Sequence, residues 1–140
     1  MLSQSSRYAI RACCHLATAG EESWLLCRNI ASDLDLPAPF LAKLLGTLST
    51  EGILKSARGR AGGFHLARPA EEITLLQIVE PFERLSDQTS QCLLRSGACE
   101  EGNNCGLHES WNGVMDSLIQ FLGRVTLADT IGSLEGGSNS

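Results

Sequence analysis

Three cysteines and a histidine carry the most specific chemistry in this 140-residue chain. Cys92, Cys99 and Cys105 stand seven and six positions apart, and His108 follows the last of them by three. Gly97, Glu100, Glu101, Gly102, Asn103, Asn104 and Gly106 fill the stretch, a composition that suits a loop and not a core element. Thiolates on a flexible loop can converge on one soft metal centre, and an imidazole can complete the set. Disulfides would suit a secreted chain, whereas the N-terminus MLSQSSRYAI carries no targeting signature, so a reducing cytoplasmic setting is expected. Burial would suit cysteines inside apolar runs, and these sit among Gly, Glu and Asn. A metal or cluster site is therefore expected over 92–108. The spacing departs from the paired C-x-x-C of common zinc sites, which places zinc second.

The rest of the chain must hold this loop and act on its state. Apolar residues make up 43% of the sequence, enough for one packed core. Mean hydropathy is close to zero, and no run approaches the length of a membrane span. Charge is divided: residues 1–70 carry eight Lys/Arg against five Asp/Glu, and residues 71–140 carry three against eleven. A basic half joined to an acidic half is compatible with a nucleic-acid reader attached to something else. No G-x-S-x-G, P-loop, dinucleotide fingerprint or paired Cys/His nucleophile pattern appears, so no enzyme is expected.

Taken in order, residues 5–19 read as a helix with Ala9, Ala12, Cys13, Leu16 and Ala17 on one apolar face. Ser5 or Ser6 can cap it and Gly20 can end it. Cys13 falls on the buried stripe; Cys14 and His15 fall off it and are expected to be partly exposed. A helix over 26–34 and another over 39–51 flank the turn Asp35-Leu36-Pro37, because a proline pushes its predecessor out of the α region. Pro39 suits a first helical position. Phe40, Leu41, Leu44, Leu45 and Leu48 form the buried side, and Gly52 closes the helix. This is a helix-turn-helix layout. Residues 53–56 and 64–67 read as two strands around a glycine-rich tip that carries Arg58 and Arg60. That hairpin describes a wing whose guanidinium groups can reach phosphates or a minor groove.

Beyond the wing, Thr74 and Gln77 form a capping box, Ile73 and Ile78 a hydrophobic staple, and Pro81 should end or kink the helix they open. From 107 to 125, Trp111, Val114, Leu118, Phe121 and Val125 recur by threes and fours, with Met115, Ile119 and Leu122 widening the stripe. The surplus apolar face suits the same helix of a second chain. Thr126 and Asp129 can cap a last short helix, and residues 135–140 should be disordered. The expected fold is mainly α with a small β-hairpin wing: a winged helix-turn-helix over 1–83 and a cysteine loop over 84–106. A long dimerisation helix and a short helix follow over 107–134, then a tail.

These segments together resemble the winged-helix regulators typified by IscR and NsrR. The residues that carry the resemblance are Arg7-Tyr8-Ala9-Ile10-Arg11, the helix-turn-helix, Gly52 to Gly59, Gly62 to Pro69, Glu72-Ile73-Thr74-Leu75, the three-cysteine loop, Trp111 and Thr126 to Asp129. The resemblance implies a homodimeric transcriptional regulator reading a palindromic double-stranded operator. It also implies an iron–sulfur cluster on Cys92, Cys99 and Cys105. IscR-like members complete a [2Fe-2S] site with a histidine three positions after the last cysteine, where His108 stands. NsrR-like members use an N-terminal carboxylate of the partner chain for a [4Fe-4S] site, and the matching position here is Arg7. The smaller cluster is thus favoured, with Glu100, Glu101 or Glu109 as substitutes for the fourth ligand.

By the same resemblance, Pro39, Lys43 and Thr47 face a major groove and Arg58 and Arg60 the neighbouring minor groove. Arg28, Lys55 and Arg7 are available for the backbone. Trp111, Val114, Leu118, Phe121, Leu122 and Val125 are the expected dimer contacts. Two departures stand out. The first cysteine gap is one residue longer than in IscR, and Ala42-Lys43 and Gly46-Thr47 replace a Glu-Gln pair and more basic residues, so a different operator is expected. The rival readings are a regulator of the same fold that senses through zinc or free thiols, and a protein-interaction module that binds no DNA.

Overall fold

The structure, a computed structural model, describes residues 2–20, 23–59, 62–85 and 107–131, the His108 side chain excepted. Cys92, Cys99 and Cys105, Arg60 and the tail at 135–140 lie outside the described residues.

Helix α1 (Gln4–Ala19) starts one residue before the expected 5–19. Its N-cap is Ser3, not Ser5 or Ser6: the Ser3 side chain accepts the Ser6 N–H at 3.2 Å, which satisfies one of the helix's orphan donors. Ser6 is pulled inside and is fully buried. Ala9, Ala12, Cys13 and Leu16 form the buried stripe as expected. Cys14, expected to be partly exposed, is instead buried, with its Sγ 3.2 Å from Thr130 Oγ1. A helical stretch at 127–131 covers a second side of α1, which no local pattern in α1 could announce.

Helices α2 (Cys27–Leu34) and α3 (Ala38–Thr50) follow. Asp35, at φ 56°, takes the left-handed conformation that stops α2. Its N–H reaches Ser32 O at 3.3 Å, and the Leu36 N–H reaches Ala31 O at 2.9 Å. This is the paired closure of a Schellman turn, with Leu36 buried as its apolar plug. The same device ends α3, where Gly52 (φ 80°) and Ile53 return bonds to Ser49 O and Leu48 O. Pro39 is the second residue of α3 and not the first, still within the turn that needs no N–H donor.

Strands β1 (Leu54–Ala57) and β2 (Gly63–Leu66) pair antiparallel with Leu54 opposite Leu66 and Lys55 opposite His65. Leu25 adds an isolated bridge at the edge of the hairpin by bonding twice to Phe64, at 3.0 and 2.8 Å. Gly63 is required there: its φ is 127°, and a Cβ would collide with the Leu25 carbonyl.

A 3₁₀ turn (Ala70–Glu72) leads to α4 (Leu75–Glu83), opened by the full capping box of Thr74 and Gln77. Ile73 and Ile78 are both fully buried. Pro81 does not end this helix. It sits two residues before the end, where the chain continues to Glu83 and Arg84 caps it at φ 49° by donating to Glu80 O at 2.9 Å. Helix α5 (His108–Arg124) then packs on α4. Leu75 donates to Val125 O and Leu127 to Ile73 O, both at 2.9 Å, tying the end of α5 to the start of α4. Leu127 is fully buried, so the C-terminal helices share one core with the winged helix.

Candidate nucleic-acid interface

Helix α3 divides its residues sharply. Leu41, Leu44, Leu45 and Leu48 are buried, while Ala38, Pro39, Ala42, Lys43, Gly46 and Thr50 are exposed along the opposite side. Thr47 is half-buried at the edge, its hydroxyl donating to Lys43 O at 3.1 Å. Phe40, expected to be buried, is half-buried, because it lies against Tyr8 of α1 at the margin of the core. The outer face therefore presents small side chains and one cation, with no large side chain to keep a partner at a distance. Gly46 is exposed, has a helical backbone, and a Cβ placed on it would meet nothing within 4 Å. Neither packing nor conformation asks for glycine there, although it weakens a helix interior by about 1 kcal/mol relative to alanine.

Most of the expected cations are exposed. Arg28 near the start of α2, Lys55 on β1 and Arg58 at the hairpin tip are all exposed, as is Arg7 on α1. Lys55 and His65 lie opposite one another on the outward face of the wing. Trp24, 38% exposed, rests on the His65 ring with centroids 4.1 Å apart. The periodicity of the sequence gave no sign of that aromatic pair, since Trp24 sits in a connection whose partner is 41 positions away. Gly62 keeps the wing tight, because a Cβ there would strike the Ala57 carbonyl.

A second candidate surface lies on α5. Its apolar residues split into two faces. Met115 and Leu122 are each 2% exposed and point into the subunit's own core. Leu107, Val114 and Phe121, seven apart, are 44%, 50% and 51% exposed. Trp111, Leu118 and Val125 are half-buried between them. Leu122, expected at the dimer contact, has no surface left to give a partner, because its own subunit has covered it.

Of the expected cluster ligands, only the backbone of His108 is described, as the first residue of α5. Cys92, Cys99 and Cys105 fall between α4 and α5 in sequence, outside the described residues. Among the described residues, no group of three or more His, Cys, Asp or Glu side chains could hold a metal. The described thiols are poor ligands for a physical reason: burial pushes the pKa of Cys13, Cys14 and Cys27 upward, which disfavours the thiolate that metals need. Also among the described residues, no helix is long and apolar enough to cross a membrane.

A family model described as Rrf2, iron-dependent transcriptional regulator, matches residues 2–133. A protein of Aquifex aeolicus named for an HTH-type transcriptional regulator is 32% identical over 133 residues, covering 94% of this chain and 91% of the relative. The transcriptional regulator IscR of Pectobacterium carotovorum is 28% identical over 134 residues, covering 96% of this chain and 80% of the relative. The solved structure of T. potens IscR is similar with a TM-score of 0.78 at 26% identity, over 98% of this chain and 90% of that one.

Proposed function

The chain belongs to the Rrf2 family of transcriptional regulators, and on that premise we propose that it is a homodimeric, cytoplasmic operator-binding protein controlled by an iron–sulfur cluster. Cys92, Cys99, Cys105 and His108 would hold the cluster. The donor set fits: three thiolates and an imidazole suit a [2Fe-2S] centre, whose nitrogen ligand gives a labile position suited to sensing. When bound, such a cluster supplies an iron- and redox-dependent cross-link within the α4–α5 connection.

The observation that carries the DNA half of the reading is the outer face of α3, shallow and exposed beside the cationic wing. A helix with this profile can lie deep in a major groove with Lys43 and Thr47 at base edges, while Arg58 and Arg60 take the adjacent minor groove and Arg28 and Lys55 the phosphates. The exposed seam of Leu107, Val114 and Phe121 supports a second copy as the partner of α5. Their spacing of seven, with Trp111, Leu118 and Val125 interleaved, is that of two helices meeting along a heptad stripe. Two reading heads joined in this way would meet two half-sites of a palindrome.

Anaerobic purification with a visible spectrum and iron and sulfide assays, on wild type and His108→Ala, tests the cluster. A [2Fe-2S]-like spectrum that changes in the variant is expected. A protein that stays colourless after reconstitution would defeat the cluster and leave zinc or thiol chemistry. Gel-shift titration at fixed salt tests the DNA half, and wild type that binds no duplex would defeat it.

A further inference from the structure

We propose that the first half of α1 is a lever through which the end of α4 sets the position of the reading helix, with Glu83, Ser3 and Ser6 as the clamp and Tyr8 and Arg11, within the next two turns, as the grip. The inference concerns regulation of the DNA-reading face and rests on the regulator reading above.

The clamp is built from groups far apart in sequence. Glu83 Oε1 accepts the Ser3 N–H at 2.6 Å and the Ser6 hydroxyl at 2.7 Å. Ser6 is fully buried; its hydroxyl accepts from Ser3 Oγ at 3.3 Å, and its proton, with no water to fall back on, goes to this carboxylate. The carboxylate also lies at the N-terminal end of α1, where the helix dipole favours negative charge. Burial alone would push the Glu83 pKa up, but the bonds from Ser3 and Ser6 outweigh it and the net shift is downward. Glu83 stays ionised at neutral pH, and the clamp stays closed. Its bonds are charge-assisted, the stronger kind.

Glu83 is the last residue of α4, nine positions before Cys92. Any rearrangement that draws on the end of α4 reaches the start of α1 directly through two bonds. One turn along α1, Gln4 donates to the Tyr8 hydroxyl at 2.8 Å. The Tyr8 ring meets Phe40 edge-on, with centroids 5.7 Å apart and planes at 81°. Arg11 lies over the same Tyr8 ring at 5.6 Å and donates to Leu34 O at 3.1 Å. Leu34 ends α2 and Phe40 lies in the first turn of α3. The grip therefore holds both sides of the turn that sets the angle of the reading helix.

Ser6 and Tyr8 stand two residues apart in one unbroken helix without proline or internal glycine, so clamp and grip move together. Its buried face consists of Leu16 and, toward the clamp, the small side chains Ser6, Ala9, Ala12, Cys13 and Cys14. Such small side chains interlock less than Leu or Phe would and tolerate the shifts of about 1–2 Å typical of switching helices. Coupling between distant sites requires a contiguous element that both bias, and α1 is one.

The test uses the full chain. Operator affinity is measured for iron-loaded and iron-free protein in wild type, Ser6→Ala, Glu83→Gln and Tyr8→Leu, with Asp116→Asn as a charge-removing control on an exposed part of α5. The expected result is that the three lever variants bring the affinity ratio between the two states to within about twofold of one, while the control keeps the wild-type ratio. Folded lever variants that keep the full ratio would overturn the proposal. In parallel, aromatic NMR spectra of the iron-free chain are compared. Ser6→Ala and Glu83→Gln should shift the Tyr8 and Phe40 ring signals and Asp116→Asn should not. Unmoved Phe40 signals overturn the lever even if wild type shows no iron dependence. Wild type that binds no DNA, by contrast, defeats the regulator reading and leaves the ring shifts to decide the lever.

Discussion

Helices α3 and α5 are built alike and finished differently. Each buries one face in the same core, through Leu41, Leu44, Leu45 and Leu48 in α3 and through Met115 and Leu122 in α5. Their outer faces diverge. That of α3 carries Ala42, Lys43, Gly46 and Thr50, small and hydratable, whereas that of α5 carries Leu107, Val114 and Phe121. A wet, charged partner with a deep groove rewards the first surface, since most of its contacts are to phosphates and base edges. A dry partner rewards the second, because apolar area removed from water is what drives protein association. One scaffold thus exposes two helix faces of opposite chemistry, distinguished by what stands opposite the buried side chains.

The comparison breaks most visibly at the largest exposed side chain of the apolar face. Phe121→Glu places a charge where a second copy's helix is expected. Desolvating an unpaired charge in an interface costs several kcal/mol, so the dimer should dissociate at least about a hundredfold more readily, read by sedimentation across a concentration series. Operator binding should fall with it, because two linked heads gain on the order of 10²-fold or more from holding both half-sites. The monomer should stay folded, since Phe121 is half exposed without a partner. A variant that remains dimeric would show that α5 is not the joining surface.

A smaller effect is expected on the polar side. Arg58→Ala at the wing tip should weaken operator binding by about 1–3 kcal/mol at fixed salt without changing the oligomeric state. Phe121→Glu and Arg58→Ala therefore separate the two surfaces: one changes mass and affinity, the other affinity alone. Unchanged affinity in a gel-shift titration would remove Arg58 from the interface.

How far the sequence anticipates these surfaces depends on how local the deciding forces are. The capping boxes at Thr74–Gln77 and Thr126–Asp129 were legible because both partners lie within four residues, and both are present. The wing was legible from its glycines and alternation. The cap of α1 was not: three serines compete within residues 3–6, and the choice is made by Glu83 from 77 or more positions away. Cys14 is hidden for the same reason, its cover arriving from Thr130. Pro81 looked terminal, but the half-buried Phe82 and buried Leu85 beyond it hold the last turn against the core. In α5 the three-and-four periodicity announced a broad apolar stripe without saying which edge the subunit would use itself. Only packing on α4 assigns Leu122 inward and Phe121 outward.

The finest distinction between the two helices rests on Gly46. On the outside of α3 a glycine costs helix stability and gains nothing from the fold, since its backbone is ordinary and the space around it is open. Gly46→Ala should therefore stabilise the protein by about 0.5–1 kcal/mol, raising the thermal midpoint by roughly 2–4 °C. If α3 lies against a groove floor, the added methyl group should weaken operator binding in the same variant. The two signs are opposed, and this makes the substitution informative. A more stable protein with weaker operator affinity is what a closely approached helix face requires. A more stable protein with unchanged affinity would mean that the duplex never comes near Gly46, and that the small side chains of α3 leave room for nothing.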